Sequence, residues 1–150
     1  MTQTQRGQTG APVRPLAQRK ADVLEMLRTE RNGWLATADS AGGPHLVPLA
    51  YVWDGSQIVM STKEAARTVR NGGRARLALG SPTDVVLIDG DLCVLPATAN
   101  VTPEAVRLPL HPSRVPGCVY LVLKPRRVLA WRDRSEMRER VVMASGHWLI

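Results

Sequence analysis

The chain has no phenylalanine, and its 150 residues include only two cysteines and three histidines. Cys93 and Cys118 are too few for a disulfide framework. His45, His111 and His147 stand far apart and share no ligand spacing with each other or with the cysteines, so no metal site is assigned. No apolar run approaches the roughly 18 residues of a membrane-spanning helix, and Met1–Gln5 lacks the apolar block of a secretory signal. A cytoplasmic protein with no membrane partner is expected. The glycine-rich dinucleotide and phosphate loops and the G-x-S-x-G nucleophile elbow are missing too. Asp89 and Asp91 straddle Gly90, which reads as turn chemistry and not as a catalytic carboxylate pair. No side chain is therefore assigned as a catalytic acid, base or nucleophile. If the chain is an enzyme, a bound cofactor carries the reaction.

What is present is an ordinary apolar share of 44% and a formal charge of +7, from 20 Lys and Arg against 13 Asp and Glu. The apolar share excludes wholesale disorder, and the length suits one domain. The charge points to an anionic partner: nucleic acid, an acidic surface or a phosphorylated small molecule. It is concentrated in residues 1–20, in a compact block from Lys63 to Arg76, and in a C-terminal block containing Arg126, Arg127, Arg132, Arg134, Arg138 and Arg140. A solvated basic face is the alternative reading of each block.

Residues 1–15 are polar and aperiodic and read as a flexible tail, leaving 16–150 as the domain. Ala17, Ala21, Val23, Leu24 and Leu27 mark one face of a helix running to Arg31 and stopped by Asn32-Gly33. Short β-prone segments follow at Trp34–Ala38, Pro44–Trp53, Gln57–Ser61, Ala75–Leu79, Val85–Asp89 and Asp91–Ala99. Asp54-Gly55 predicts a tight hairpin. A short helix is expected over Ala65–Asn71. Strands are expected at Val119–Leu123 and Arg127–Trp131, separated at Pro125, with a last helix over Ser135–Ala144 and an extended end at His147–Ile150. Many short strands and few helices predict a mainly β (α+β) barrel or sandwich with short flanking helices.

One stretch suggests a ligand. Ser61 and Thr62 end a strand, and a short helix then carries Arg67, Thr68, Arg70 and Asn71. Hydroxyls at a strand end with an Arg one turn into a helix form a plausible phosphate cradle. The alternative is that Ser61 or Thr62 merely caps the helix while the arginines face water.

Several segments, taken in order, resemble a known family. They are Gly33-Trp34-Leu35-Ala36-Thr37, Gly43-Pro44-His45-Leu46-Val47-Pro48-Leu49 with Val52-Trp53-Asp54-Gly55, and Arg67-Thr68-Val69-Arg70-Asn71 with Ala75–Leu79. Asp84–Gly90, Tyr120-Leu121 through Lys124–Val128 to Ala130-Trp131, and the spaced Arg140, Met143, Gly146 and Trp148 complete the pattern. From about Gly33 to Trp148 the chain resembles the pyridoxamine 5′-phosphate oxidase-like FMN-binding split-barrel proteins, in particular the actinobacterial flavin/deazaflavin oxidoreductase branch. The resemblance implies a six-stranded split β-barrel acting as a homodimer, with the cofactor, F420 or FMN, in a groove at the interface. It implies that Ser61, Thr62, Arg67, Thr68 and Asn71 hold the phosphate end and that Val47, Pro48 and Leu49 line the ring. Trp131 and Arg140 would come from the second subunit. Hydride transfer to a small organic acceptor is the implied activity; a non-catalytic cofactor carrier or sensor is the alternative. Binding of nucleic acid, motivated by the charge alone, is not expected. Where the vitamin-B6 oxidases usually carry Lys and Arg, this chain has Thr68 and Val47, and Val101–Gly117 is shorter than the branch's usual helical insertion. The first departure, with a shorter C-terminus, argues against a true pyridoxamine phosphate oxidase; the second leaves the substrate open, because that region helps wall the pocket in relatives.

Overall fold

The computed structural model describes residues 12–150; most of the expected tail lies outside that range. Its last part is anchored, because Arg14 binds Glu136 across the fold. The chain runs α1 (Leu16–Thr29), β1 (Asn32–Ala38), β2 (Pro44–Trp53), β3 (Ile58–Lys63), α2 (Arg67–Asn71), β4 (Gly73–Ser81) and β5 (Asp84–Leu95). A short 3₁₀ helix, Pro103–Arg107, precedes β6 (Cys118–Trp131); a second, Arg134–Glu139, precedes β7 (Val141–Ala144) and β8 (His147–Trp148). The sheet order is β3-β2-β1-β4-β5-β6-β7-β8, all antiparallel, and β3 also pairs with β6. That last pairing closes six strands into the expected barrel.

Alternation along each strand fills the barrel. In β1, Gly33, Leu35 and Thr37 are buried while Asn32, Trp34 and Ala38 are exposed, the period-2 pattern of a sheet with one covered face. The interior holds Leu35, Tyr51, Ile58, Met60, Leu77, Ile88, Leu121, Leu123 and Val128, with Val23 and Leu27 of α1 packed against it. Those two lie one helical turn apart, as the predicted apolar face requires. Tyr51 fastens α1 to β2 by donating to the Leu27 carbonyl at 3.0 Å. A second apolar cluster, Val52, Val59, Tyr120 and Val122, lies on the outer face of β2, β3 and β6 under Ala105 and Leu108.

Several expected boundaries move. Val85–Asp89 and Asp91–Ala99 merge into the single strand β5, so Gly90 is not a turn. Its register shifts against β6 between Asp89 and Gly90, and a Cβ on Gly90 would stand 2.0 Å from the Lys124 carbonyl oxygen. The glycine is there to let β6 come close. Pro125 likewise sits inside one continuous β6, where the irregularity falls. The expected helix over Ser135–Ala144 is a 3₁₀ helix ending at Glu139, followed by β7. Pairing of Val141 and Met143 with Leu129 and Val128 offers the β-branched end of that segment a better partner than a helix does. The Asp54-Gly55 turn forms as expected, with the Asp54 carboxylate accepting from the Ser56 and Gln57 amides at 2.8 and 2.6 Å.

Candidate functional site

The barrel is split where β2 and β3 part. The two strands pair only at Tyr51–Met60, Val52–Val59 and Trp53–Ile58. Beyond Met60, β3 stays paired with β6 through Ser61, Thr62 and Lys63, while Pro44–Ala50 of β2 pair with β1 alone. The two strand stretches with predicted ligand contacts, Val47–Leu49 and Ser61-Thr62, therefore flank the opening.

Strand alternation assigns those residues to faces. Thr62 shares the core face of β3 with Met60, and Ser61 the outer face with Val59. The two hydroxyls consequently do not address a single group by their side chains. Val47 and Leu49 are half-buried and Pro48 is exposed between them. Ser61, Thr62 and Thr68 are 5%, 8% and 2% exposed. Among the described residues none of their hydroxyls makes a hydrogen bond, and no fully buried side-chain polar atom lacks a partner.

After β3 the chain turns through Glu64–Ala66 into α2, which lies against β1. The N-cap is Ala66, with no side-chain cap, so neither Ser61 nor Thr62 serves that role. Asn71 Nδ2 donates to Thr37 Oγ1 at 3.0 Å and pins α2 to the inward face of β1. Between α2 and the β1–β2 turn lies a groove of about 540 Å³, lined by Ala38, Asp39, Ser40, Arg67, Arg70 and Asn71. Thr68 does not line it. Among the described residues Arg67 and Arg70 make no ion pair. Asp39, the one carboxylate in the lining, is committed to its own turn and accepts from the Ala41 and Gly43 amides at 2.9 and 2.7 Å. Two guanidiniums without ion pairs against one carboxylate leave the groove net positive and attractive to an oxyanion.

Of the predicted phosphate-end residues, the groove gathers Arg67 and Asn71, while Ser61, Thr62 and Thr68 are not among its lining. Sequence reasoning left Ser40 out of the site altogether, because a Gly-rich turn carries no sign of what packs beside it. Trp131 and Arg140 lie elsewhere. Trp131 ends β6 opposite Val85, eleven residues beyond Tyr120, the partner of Ser61. That is about 35 Å of strand path. Arg140 Nη1 donates to the Met137 carbonyl at 2.6 Å, and Arg140 does not pair with Glu136, which Arg14 occupies. The donor chemistry of α2 and the split strands, guanidiniums without ion pairs and hydroxyls without protein partners, together with an apolar stretch on β2, fits a phosphorylated ring cofactor.

No curated protein matches the chain. Solved structures do. A putative pyridoxamine 5′-phosphate oxidase from Listeria innocua is 14% identical with a TM-score of 0.62, covering 76% of this chain and 98% of its own. Conserved hypothetical protein Rv2991 from Mycobacterium tuberculosis is 22% identical with a TM-score of 0.60, covering 77% and 85%. An F420 reductase is 16% identical with a TM-score of 0.54, covering 69% and 93%. These likenesses concern the fold. Residues 20–132 match the family model described as pyridoxamine 5′-phosphate oxidase. The chain belongs to the pyridoxamine 5′-phosphate oxidase-like split-barrel family.

Proposed function

We propose that this chain is a homodimeric oxidoreductase that holds FMN or F420 in the split and passes a hydride to a small organic acceptor. The observation that carries the reading is the groove at α2, where Arg67 and Arg70 lack ion-pair partners. Family membership supports a flavin-type cofactor, and the F420 reductase among the structural neighbours supports the deazaflavin. When bound, either cofactor supplies the hydride. The residues' work is to bind and orient: Arg67 and Asn71 hold the phosphate end, and Val47–Leu49 flank the ring.

A second copy of the chain fits this reading. The outer face of β1 and β2 is apolar, with Trp34 53% and Leu46 59% exposed. Trp34 lies opposite Pro48 and Leu46 opposite Ala36. Covering this patch in a dimer removes it from water. The partner would then contribute Trp131 and Arg140, which one chain holds far from Ser61.

A carrier or sensor without turnover is the second reading. It is favoured by Leu108 and Ala105 packing down on the outer face, and by the His111 Nε2 to Tyr120 hydroxyl contact of 3.3 Å, which draw the 101–117 segment close. Equilibrium titration with FMN and F420 side by side, followed by steady-state reduction of a panel of acceptors, separates the readings. Saturable binding with turnover supports the oxidoreductase, and tight binding without turnover supports the carrier. Failure of both cofactors to bind removes both.

A further inference from the structure

A cavity of about 620 Å³ lies away from the Arg67 groove, between the end of α1, the last residues of β2 and the 3₁₀ helix Pro103–Arg107. Its size is that of a small-molecule site. Three arginines line it, Arg28, Arg31 and Arg107, against one carboxylate, Glu30. Arg28 is paired with Glu25, whereas the other two make no ion pair among the described residues. Arg31 has no side-chain partner among the described residues. The guanidinium of Arg107 makes one long contact of 3.5 Å, to the Glu104 carbonyl, and lies in the field of the Glu104 carboxylate without an ion pair. The apolar part of the lining includes Leu27, Ala50, Val52, Trp53, Leu108 and Pro109, of which Pro109 is exposed and Trp53 half-buried. Tyr51 also borders the cavity, but its hydroxyl is spent on the Leu27 carbonyl.

The position along β2 gives the cavity a meaning. Pro44, the first residue of β2, lies opposite Ala38, which lines the Arg67 groove. The strand then passes Val47–Leu49 and reaches the cavity at Ala50–Trp53. Groove, proposed ring stretch and cavity follow one another along a single strand, with Pro44 and Ala50 about 20 Å apart.

We propose that this cavity binds the acceptor, and that the acceptor is a small carboxylate or phosphate with a planar apolar body. Arg31 and Arg107 take the anionic group, and Trp53 and Pro109 take the body. The role as acceptor site rests on the cofactor reading above; the preference for an anion does not. Both arginines are exposed and make no ion pair, so replacing them leaves the barrel intact.

The probes are 4-nitrobenzoate and its neutral analogue 4-nitrobenzamide, titrated by tryptophan quenching. The wild-type chain is expected to bind the carboxylate at least about tenfold more tightly than the amide. In the Arg31→Gln/Arg107→Gln double variant the preference falls to near one, with the amide's own affinity unchanged. The Arg31→Lys/Arg107→Lys variant keeps most of it, and Trp53→Phe loses most of the quenching. The Arg67→Ala variant keeps the preference, which separates this cavity from the cofactor groove. If the wild type binds neither FMN nor F420 yet keeps the preference, the anion site stands and the cofactor reading fails. A preference near one in the wild type, one that survives the double glutamine variant, or one abolished by Arg67→Ala overturns the proposal.

Discussion

Arg14 and Glu136, 122 residues apart in sequence, form a two-pronged ion pair with Nε–Oε2 and Nη2–Oε1 both at 2.8 Å. Glu136 is 2% exposed. It also accepts from the Arg14 and Arg132 amides, at 3.1 and 2.7 Å. The segment before α1 is thereby tied to the 3₁₀ helix after β6. The hydrogen bond from Arg14, helped by those amides, holds the Glu136 carboxyl at about 2, well below its usual range. Its ionised form is the one that the fold stabilises. The contribution is therefore fully present above the unfolded pKa of about 4.3 and fades as pH falls towards 2, to a total of about 3 kcal/mol. Glu136→Gln is expected to cost about 3 kcal/mol at neutral pH. Urea midpoints measured from pH 7 to pH 2 should show the wild-type and variant curves converging below pH 4. Parallel curves would mean that the pair contributes nothing through its charge.

Gly90→Ala tests the close approach of β5 and β6. The added Cβ would meet the Lys124 carbonyl oxygen at 2.0 Å, a clash with backbone that no rotamer relieves. A loss of at least about 3 kcal/mol is expected in urea unfolding, well above a typical surface substitution. A loss below 1 kcal/mol would show that the two strands separate easily.

This glycine also marks where the sequence was legible and where it was not. The barrel strands before it were readable because alternation and turn residues agree locally, as in Pro44–Trp53, whose expected and observed limits coincide. Asp89-Gly90-Asp91 and Pro125 read as breaks because local propensity reports only the residue, not the strand lying beside it. Tertiary pairing carries β5 and β6 through both points. The same competition turned the expected last helix into β7. For the site, Arg67 and Asn71 were visible from their order after a strand. The groove's other wall, Ala38–Ser40, was not, because it is brought there by the β1–β2 turn.

The bond between Asn71 and Thr37 is the polar tie that places α2 on β1. Asn71→Ala is expected to lower stability by about 1 kcal/mol. It should also weaken cofactor binding, because the helix bearing Arg67 loses its fixed position. Thermal melting and cofactor titration of the one variant check both. Loss of stability with unchanged cofactor affinity would separate α2 placement from the site.

Leu46→Glu places a charge in the exposed apolar face of β1 and β2, opposite Ala36. If that face is the dimer contact, dissociation should become easier by at least about thirtyfold, since burying an unpaired carboxylate is costly. Light scattering over a concentration series reads the change, and an unaltered oligomeric state would move the interface elsewhere.

Arg67→Ala bears most directly on the central claim. The side chain is exposed and unpaired, so its removal should leave the melting temperature unchanged. Equilibrium titration of wild type and variant with FMN and F420 is the decisive measurement. At least one of the two should bind the wild type saturably, and the variant should bind it roughly ten- to hundredfold more weakly, the loss expected for a hydrogen bond to a charged group. Equal affinity in the two proteins, or no binding of either cofactor to the wild type, would contradict the assignment of the α2 groove as the phosphate site.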